Sequence, residues 1–258
     1  MTILYGDCLD ILPTFEPGSV QQVVTSPPYF GQRRYGDDHE HEIGWGSVDD
    51  YLEQMGRVLD ELHRVTDADA TAWFVLGDKR AGSGGAGGDH TKTGKKVGSK
   101  TWIPSYGKPQ FGDLKGGQAI MVPFLFAQMA QQRDWLVRSL IVWDKSPNVK
   151  PEDPKHINRP MFSHEMIVVL AKHTKHRWHH KRLVEKGDVW HVKPSRGKGA
   201  ARHYAPFPAA LPERAILAAS QLGDNVLDPF AGSGTTVTVA NDHARVGCGI
   251  ELYEMEAP

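Results

Sequence analysis

The sequence predicts an α/β fold, an open and mostly parallel sheet with helices on both faces, and three observations carry that prediction. Short apolar runs of strand length alternate with helical stretches along the chain. One run, Val20 to Thr25, closes on the rigid loop Ser26-Pro27-Pro28-Tyr29. Another, Asn225-Val226-Leu227, closes on Asp228-Pro229-Phe230-Ala231 and a glycine turn, Gly232-Ser233-Gly234, before a helical stretch opened by Thr235. Open α/β sheets bind nucleotide-like ligands at such turns.

In chain order, Ile3-Leu4-Tyr5 is a short strand, Cys8 to Leu12 a helical turn and Val20 to Thr25 a strand. Asp49 to Val65 is a helix, because acids occupy its first turn and Tyr51, Leu52, Met55, Val58, Leu59 and Leu62 recur at helical spacing. Thr71 to Leu76 is a buried strand. Ala81 to Gly117 is rich in Gly, Ser and Lys, lacks a period and exceeds the usual length of a structureless connection, so it is either a flexible loop or a binding element. Ile120 to Arg133 reads as a helix, Leu136 to Trp143 and Glu165 to Ala171 as strands. Leu211 to Gln221 is a helix opened by Pro212, Thr235 to His243 a helix, and Arg245 to Ile250 a strand capped by Glu251. No repeat or linker divides the chain, so one domain over residues 1–258 is expected.

At 258 residues and 40% hydrophobic content the chain can bury a full core. No stretch is long and apolar enough for a membrane span, and the N-terminus lacks the basic and apolar regions of a signal peptide, so a cytoplasmic protein is expected. Cys8 and Cys248 are too far apart for a CxxC site. His173, His176, His179 and His180 lack a Cys or carboxylate that would complete a tetrahedral set, so no metal is expected and phosphate is the preferred contact. Net charge is −1 but unevenly spread: between Lys145 and Arg202 there are fourteen Lys or Arg and five acids. That stretch, interleaved with Trp178, Trp190 and Tyr204, suits a polyanion surface as well as it suits a solvated loop.

The chemistry of the first loop follows from its atoms. An exocyclic base amine is a poor nucleophile until acceptors take its hydrogens and free its lone pair. Ser26 Oγ and the Pro27 carbonyl are such acceptors, and Pro27-Pro28 fix φ and carry no competing N–H. Tyr29 can stack on a base drawn out of a duplex. By itself the tetrapeptide is equally an ordinary Pro-Pro turn. The glycine turn is not a dinucleotide fingerprint, since Val237 holds the third glycine position, and it is not a P-loop, since no Gly-Lys-Ser/Thr follows. The acid ending the next strand, Glu251, is placed to take two ribose hydroxyls.

Together the two motifs resemble those of the DNA amino-methyltransferases. Ser26 to Tyr29 resembles the catalytic motif, Asp228 to Thr236 the cofactor motif, and Gly249-Ile250-Glu251-Leu252 the ribose-binding strand. Because the catalytic motif comes first, the chain is similar to the circularly permuted β group. The resemblance implies a Rossmann-like methyltransferase fold with a seven-stranded sheet and a small target-recognition insertion, expected at residues 171–201. It implies S-adenosylmethionine as cofactor and DNA as partner. The cofactor residues are then Asp7, Phe207, Pro208, Asp228, Pro229, Phe230, Ala231, Gly232, Ser233, Gly234, Thr235 and Glu251. Lys172, Lys175, Arg177, Lys181, Arg182, Arg196 and Lys198 are the expected DNA contacts, and a homodimer is compatible with the sequence.

The resemblance implies cytosine N4 as the target, since family members with Ser before Pro-Pro-Tyr usually methylate it and a short neutral hydroxyl suits its edge, with adenine N6 as the alternative and an RNA or protein methyltransferase as a remoter one. A cytosine-C5 methyltransferase needs a Pro-Cys thiolate, and here Cys8 follows Asp7 and Cys248 follows Gly247. Protein-glutamine methyltransferases carry Asn before Pro-Pro-Tyr and the cofactor motif first, and Ser26 and the reversed order oppose that reading. A binding module without activity is disfavoured by the intact Ser26 and Tyr29.

Overall fold

The computed structural model describes residues 2–31, 42–82, 110–145, 160, 162–182, 187–195 and 208–254. They build one eight-stranded sheet, in chain order β1 (Thr2–Tyr5), β2 (Val20–Thr25), β3 (Thr66–Leu76), β4 (Leu136–Asp144), β5 (His164–Ala171), β6 (Val189–His191), β7 (Asn225–Asp228) and β8 (Val246–Glu251). The helices are α1 (Cys8–Ile11), α2 (Val48–Val65), α3 (Val122–Gln131), α4 (Ala210–Ala219) and α5 (Thr235–Asp242). The spatial strand order is β1-β8-β7-β2-β3-β5-β4-β6. Only β5 runs against its neighbours, pairing antiparallel with both β3 and β4.

The expected seven strands become eight. The addition is β6, whose Val189, Trp190 and His191 pair parallel with Val142, Trp143 and Asp144. It lies inside the stretch expected to read the target, and three residues with one buried Trp give too short an apolar signal to stand out in sequence. The strand expected at Thr71 begins at Thr66, because its first residues carry acids but still pair with β2 at Val20.

Alternation along β3 divides the core, since successive side chains point to opposite faces. Phe74 and Leu76 face one layer with Tyr51, Met55, Leu59 and Leu62 of α2 and Phe126 of α3. Trp73 and Val75 face the other with Trp143, Trp190, Leu211, Ile216 and Ala240. Ser47 starts α2 through a capping box, its Oγ accepting from Asp50 N at 3.0 Å while the Asp50 carboxylate accepts from Ser47 N at 2.9 Å. Helix α3 starts two residues later than its apolar pattern, because Met121 adopts φ +67° ahead of Pro123. Pro212 stands third in α4 rather than first, still within the turn whose N–H groups lack helical partners. Residues 83–109, most of the expected flexible loop, lie outside the described residues. Its described ends pair across Arg80 and Ala119, and Gln110 bridges to Ser47.

Candidate active site

The strand order places the two motifs side by side. β7 and β2 are parallel neighbours, with Leu227 opposite Val23. The sheet grows from β7 towards β8 and β1 on one side and from β2 towards β3 on the other, so the crevice at their carboxyl ends is a topological switch point. Thr25, the last residue of β2, donates its hydroxyl to Asp228 Oδ1 at 2.6 Å, joining the ends of the two strands.

On the catalytic side Pro27 is buried and Ser26, Pro28 and Tyr29 are half-buried. Phe30 anchors the loop beneath them, with ring centroids 5.8 Å from Tyr51 and 6.1 Å from Phe111. The Tyr29 ring lies over Gly77 at the end of β3, where a Cβ would stand 2.7 Å from Tyr29 Cε2. The Tyr29 hydroxyl donates to Glu165 Oε2 at 2.7 Å and stands 3.4 Å from Ser26 Oγ. Lys145 Nζ holds the other oxygen of Glu165 and sits 5.3 Å from the Trp143 ring centroid. Burial, then the charge of Glu165, pushes the Tyr29 phenol well above its usual range, so it stays protonated and donates.

On the cofactor side Gly232 and Gly234 take φ +51° and +78°, the left-handed region that glycine occupies at no steric cost. A Cβ on Gly232 would meet nothing within 4 Å, so the turn opens onto free space. Gly232 N donates to Glu251 Oε2 at 2.7 Å. Burial pushes the Glu251 carboxyl up, while the N–H groups of Gly232, Tyr253 and Leu252 oppose that shift. Gly6 N donates to the Glu251 carbonyl at 2.9 Å, and Asp7 caps α1 by accepting from Leu9 N at 2.9 Å. Three adjacent strand ends thus carry an acid, a second acid and an open glycine turn, so carboxylates able to accept from hydroxyl or amine groups stand beside exposed backbone, a chemistry that suits the nucleoside of S-adenosylmethionine.

Asp228 differs from the other expected cofactor residues. It is fully buried, and burial pushes its carboxyl up to about 6, with the charge of Glu251 adding and the hydroxyls of Thr25 and Thr236 and the Phe230 N–H opposing. Its carboxylate faces the two strands. Pro229 and Ala231 are buried beneath the turn, Phe230 and Thr235 are half-buried and Ser233 is exposed. Pro208 is half-buried at the start of α4, where its carbonyl accepts from Leu211 N at 2.9 Å; Phe207 lies outside the described residues.

Among the described residues, the expected DNA contacts Lys172, Arg177 and Arg182 are held by groups away from this crevice. Lys172 follows the end of β5, where Ala171 lies opposite Leu136 at the amino end of β4 and Thr71 within β3, and its Nζ donates to the Thr66 carbonyl at the start of β3. Arg177 is 3.1 Å from Asp67 and 3.8 Å from Asp224, again at strand amino ends. Arg182 donates to the Ser220 carbonyl at 3.2 Å, at the end of α4. Lys175 and Lys181 are exposed, and Arg196 and Lys198 lie outside the described residues. Conversely, Glu165 and Lys145 belong to the site although neither sits in a motif. Their one signal in the sequence is a carboxylate set at the mouth of an otherwise apolar strand.

A family model described as DNA methylase matches residues 20–257. The type II methyltransferase M.Cfr9I of Citrobacter freundii is 36% identical over 260 residues, covering 97% of this chain and 83% of that protein. M.SmaI of Serratia marcescens is 33% identical over 264 residues, covering 98% and 86%. Among solved structures, the cytosine-N4-specific PvuII DNA methyltransferase superposes with a TM-score of 0.71 at 18% identity, covering 97% of this chain and 81% of that one. A DNA modification methylase of Thermus thermophilus, solved with S-adenosyl-L-methionine, gives 0.65 at 22% identity, covering 98% and 88%. At those identities the two structures share the fold.

Proposed function

Because this chain belongs to the DNA methylase family, we propose that it transfers a methyl group from S-adenosylmethionine to the exocyclic amine of a base in DNA, cytosine N4 by preference. The observation that carries this is the joining of β2 and β7 at their carboxyl ends, which sets Ser26 to Tyr29 beside the glycine turn although Thr25 and Asp228 are 203 residues apart.

Gly232, Ser233 and Gly234 would hold the cofactor against backbone, Glu251 would take its ribose hydroxyls, Asp7 its adenine, and Phe207 and Pro208 its methionine end. When bound, the cofactor supplies an electrophilic methyl group on a sulfonium. Ser26 Oγ and the Pro27 carbonyl accept the two amine hydrogens and so turn the nitrogen lone pair outward. The Tyr29 ring stacks on the extruded base and offsets part of an unstacking cost of a few kcal/mol. With so good a leaving group, which would depart as a neutral thioether, positioning dominates over base strength, and the methylated nitrogen would then release one of its two hydrogens to solvent as a proton.

Of the basic stretch, Arg196 and Lys198, a few residues beyond β6 in the sequence, are the proposed phosphate contacts. The setting is a restriction-modification system in the cytoplasm, a reading supported by relatives named as type II methyltransferases and by the lack, among the described residues, of a helix long and apolar enough to cross a membrane.

The test is transfer of tritiated methyl groups to duplex DNA, followed by digestion to nucleosides and mass spectrometry. N4-methylcytosine is the expected product. N6-methyladenine alone overturns the choice of base, and no incorporation overturns the function.

A further inference from the structure

We propose that Glu165 is a positioning residue, held by Lys145, that sets the direction of a hydrogen-bond chain through Tyr29 and thereby presents Ser26 to the target as an acceptor. The inference rests on the reading of Ser26 as the group that meets the amine.

A serine hydroxyl is ambiguous, since it can rotate either to donate or to accept. Here its neighbours remove the ambiguity. Lys145 Nζ can only donate, and it occupies Glu165 Oε1. A carboxylate paired in that way can only accept, so the Tyr29 hydroxyl, 2.7 Å from Oε2, must be the donor. With its single proton committed, the phenol oxygen offers only lone pairs to Ser26 Oγ at 3.4 Å. That distance is long for a hydrogen bond between hydroxyls, as is common before substrate tightens a site. Ser26 therefore points its proton at Tyr29 and keeps its own lone pairs for the base. Each link also polarises the next, because a donor already bonded to a charged acceptor is a better acceptor itself.

The chain is built rather than incidental. Side chains of Lys145 and Glu165 are 21% and 16% exposed, so the pair is largely shielded from water and fixed in place. It draws on the end of β4, the start of β5 and the loop after β2, three elements with no local reason to share a network. A Ser26 committed to accepting discriminates chemically: it favours a base edge with an amine and opposes one with a carbonyl at the same position, as in thymine.

The experiment compares wild type with Glu165→Gln, Tyr29→Phe and the double variant. Measured are the single-turnover methyl-transfer rate, the Kd values for S-adenosylmethionine and duplex DNA, and the carbon-13 resonance of the Tyr29 Cζ, assigned by its loss in Tyr29→Phe. Each single variant should slow transfer about tenfold or more with both Kd values little changed. The double variant should be no slower than the worse single one, because both break one chain. The Cζ resonance should move in Glu165→Gln, whose amide can donate to the phenol oxygen. An unmoved resonance, an unchanged rate or fully additive losses would each overturn the proposal. The resonance is read without turnover, so a wild type that transfers no methyl group defeats the functional reading alone while the hydrogen-bond chain is still judged. Should Glu165→Gln not fold, Glu165→Met removes the same acceptor from the Tyr29 hydroxyl and carries the same expectations.

Discussion

The Thr25 hydroxyl donates to Asp228 Oδ1 at 2.6 Å, and both residues are fully buried. This bond links the last residue of the strand that carries the Ser26 to Tyr29 loop to the last residue of the strand that carries the Gly232-Ser233-Gly234 turn. Thr25→Val keeps the side-chain shape and removes the donor, leaving that oxygen with the Phe230 N–H alone. Stability should fall by about 1–3 kcal/mol, read by urea denaturation. Thr25→Ser should recover most of the loss, and an unchanged midpoint for Thr25→Val would mean that the strands are held otherwise.

Asp228 also predicts a pH dependence. Its carboxyl, raised to about 6, is protonated more readily in the folded chain than in the unfolded one. Its contribution to stability is therefore present below the ordinary carboxylate range and is lost as pH rises through about 6. Asp228→Asn never acquires the charge. Relative to wild type its Tm should rise between about pH 4 and pH 6 and level off above pH 7, an advantage of order 2–3 kcal/mol. A Tm difference that stays flat with pH contradicts this account.

Gly77→Ala tests the seat of the Tyr29 ring. The added methyl would stand 2.7 Å from Tyr29 Cε2 and 2.9 Å from Cδ2, closer than such atoms pack, so the ring must move. A displacement of this size at a reacting centre costs about tenfold to a hundredfold in rate. Turnover should drop while affinity for S-adenosylmethionine, whose proposed site is at the ends of β7, β8 and β1, is retained. Wild-type turnover in this variant would show that the stacking position tolerates displacement.

Glu251→Ala should weaken S-adenosylmethionine binding by about 1.5–3 kcal/mol, because charge-assisted bonds to the ribose are lost and Gly232 N loses its acceptor. Calorimetry gives the answer directly, and unchanged affinity removes Glu251 from the cofactor site.

Two basic substitutions should part company. Arg177→Ala removes a mostly buried partner of Asp67 and Asp224 and should cost stability, of order 2–3 kcal/mol, with little change in the salt dependence of DNA binding. Replacing Arg196 and Lys198 together by Ala should reduce the salt slope by about 0.9 for each phosphate no longer neutralised. A reduced salt slope in Arg177→Ala would return that residue to the DNA surface.

Much of this protein is written locally in its sequence. Pro27 and Pro28 fix φ wherever they stand, Gly232 and Gly234 admit positive φ, and an apolar period of 2 or 3.6 marks an element whatever it later packs against. The strands, the helices and the two motifs are therefore legible before any tertiary pairing is known. What tertiary structure alone decided is which distant groups meet. The basic stretch counts Arg177 as a free cation, but the fold pairs it with Asp67, 110 residues away, at the end of the sheet remote from the chemistry. The cofactor motif shows Asp228 as an available acid, but β2 buries it under Thr25. Glu165 and Lys145, ordinary residues of a strand and its flank, become partners of Tyr29 only because β5 is inserted antiparallel between β3 and β4. Backbone preferences depend on a residue and its neighbours, whereas desolvation and charge pairing depend on strand order, and strand order is settled only when the whole sheet closes around its core.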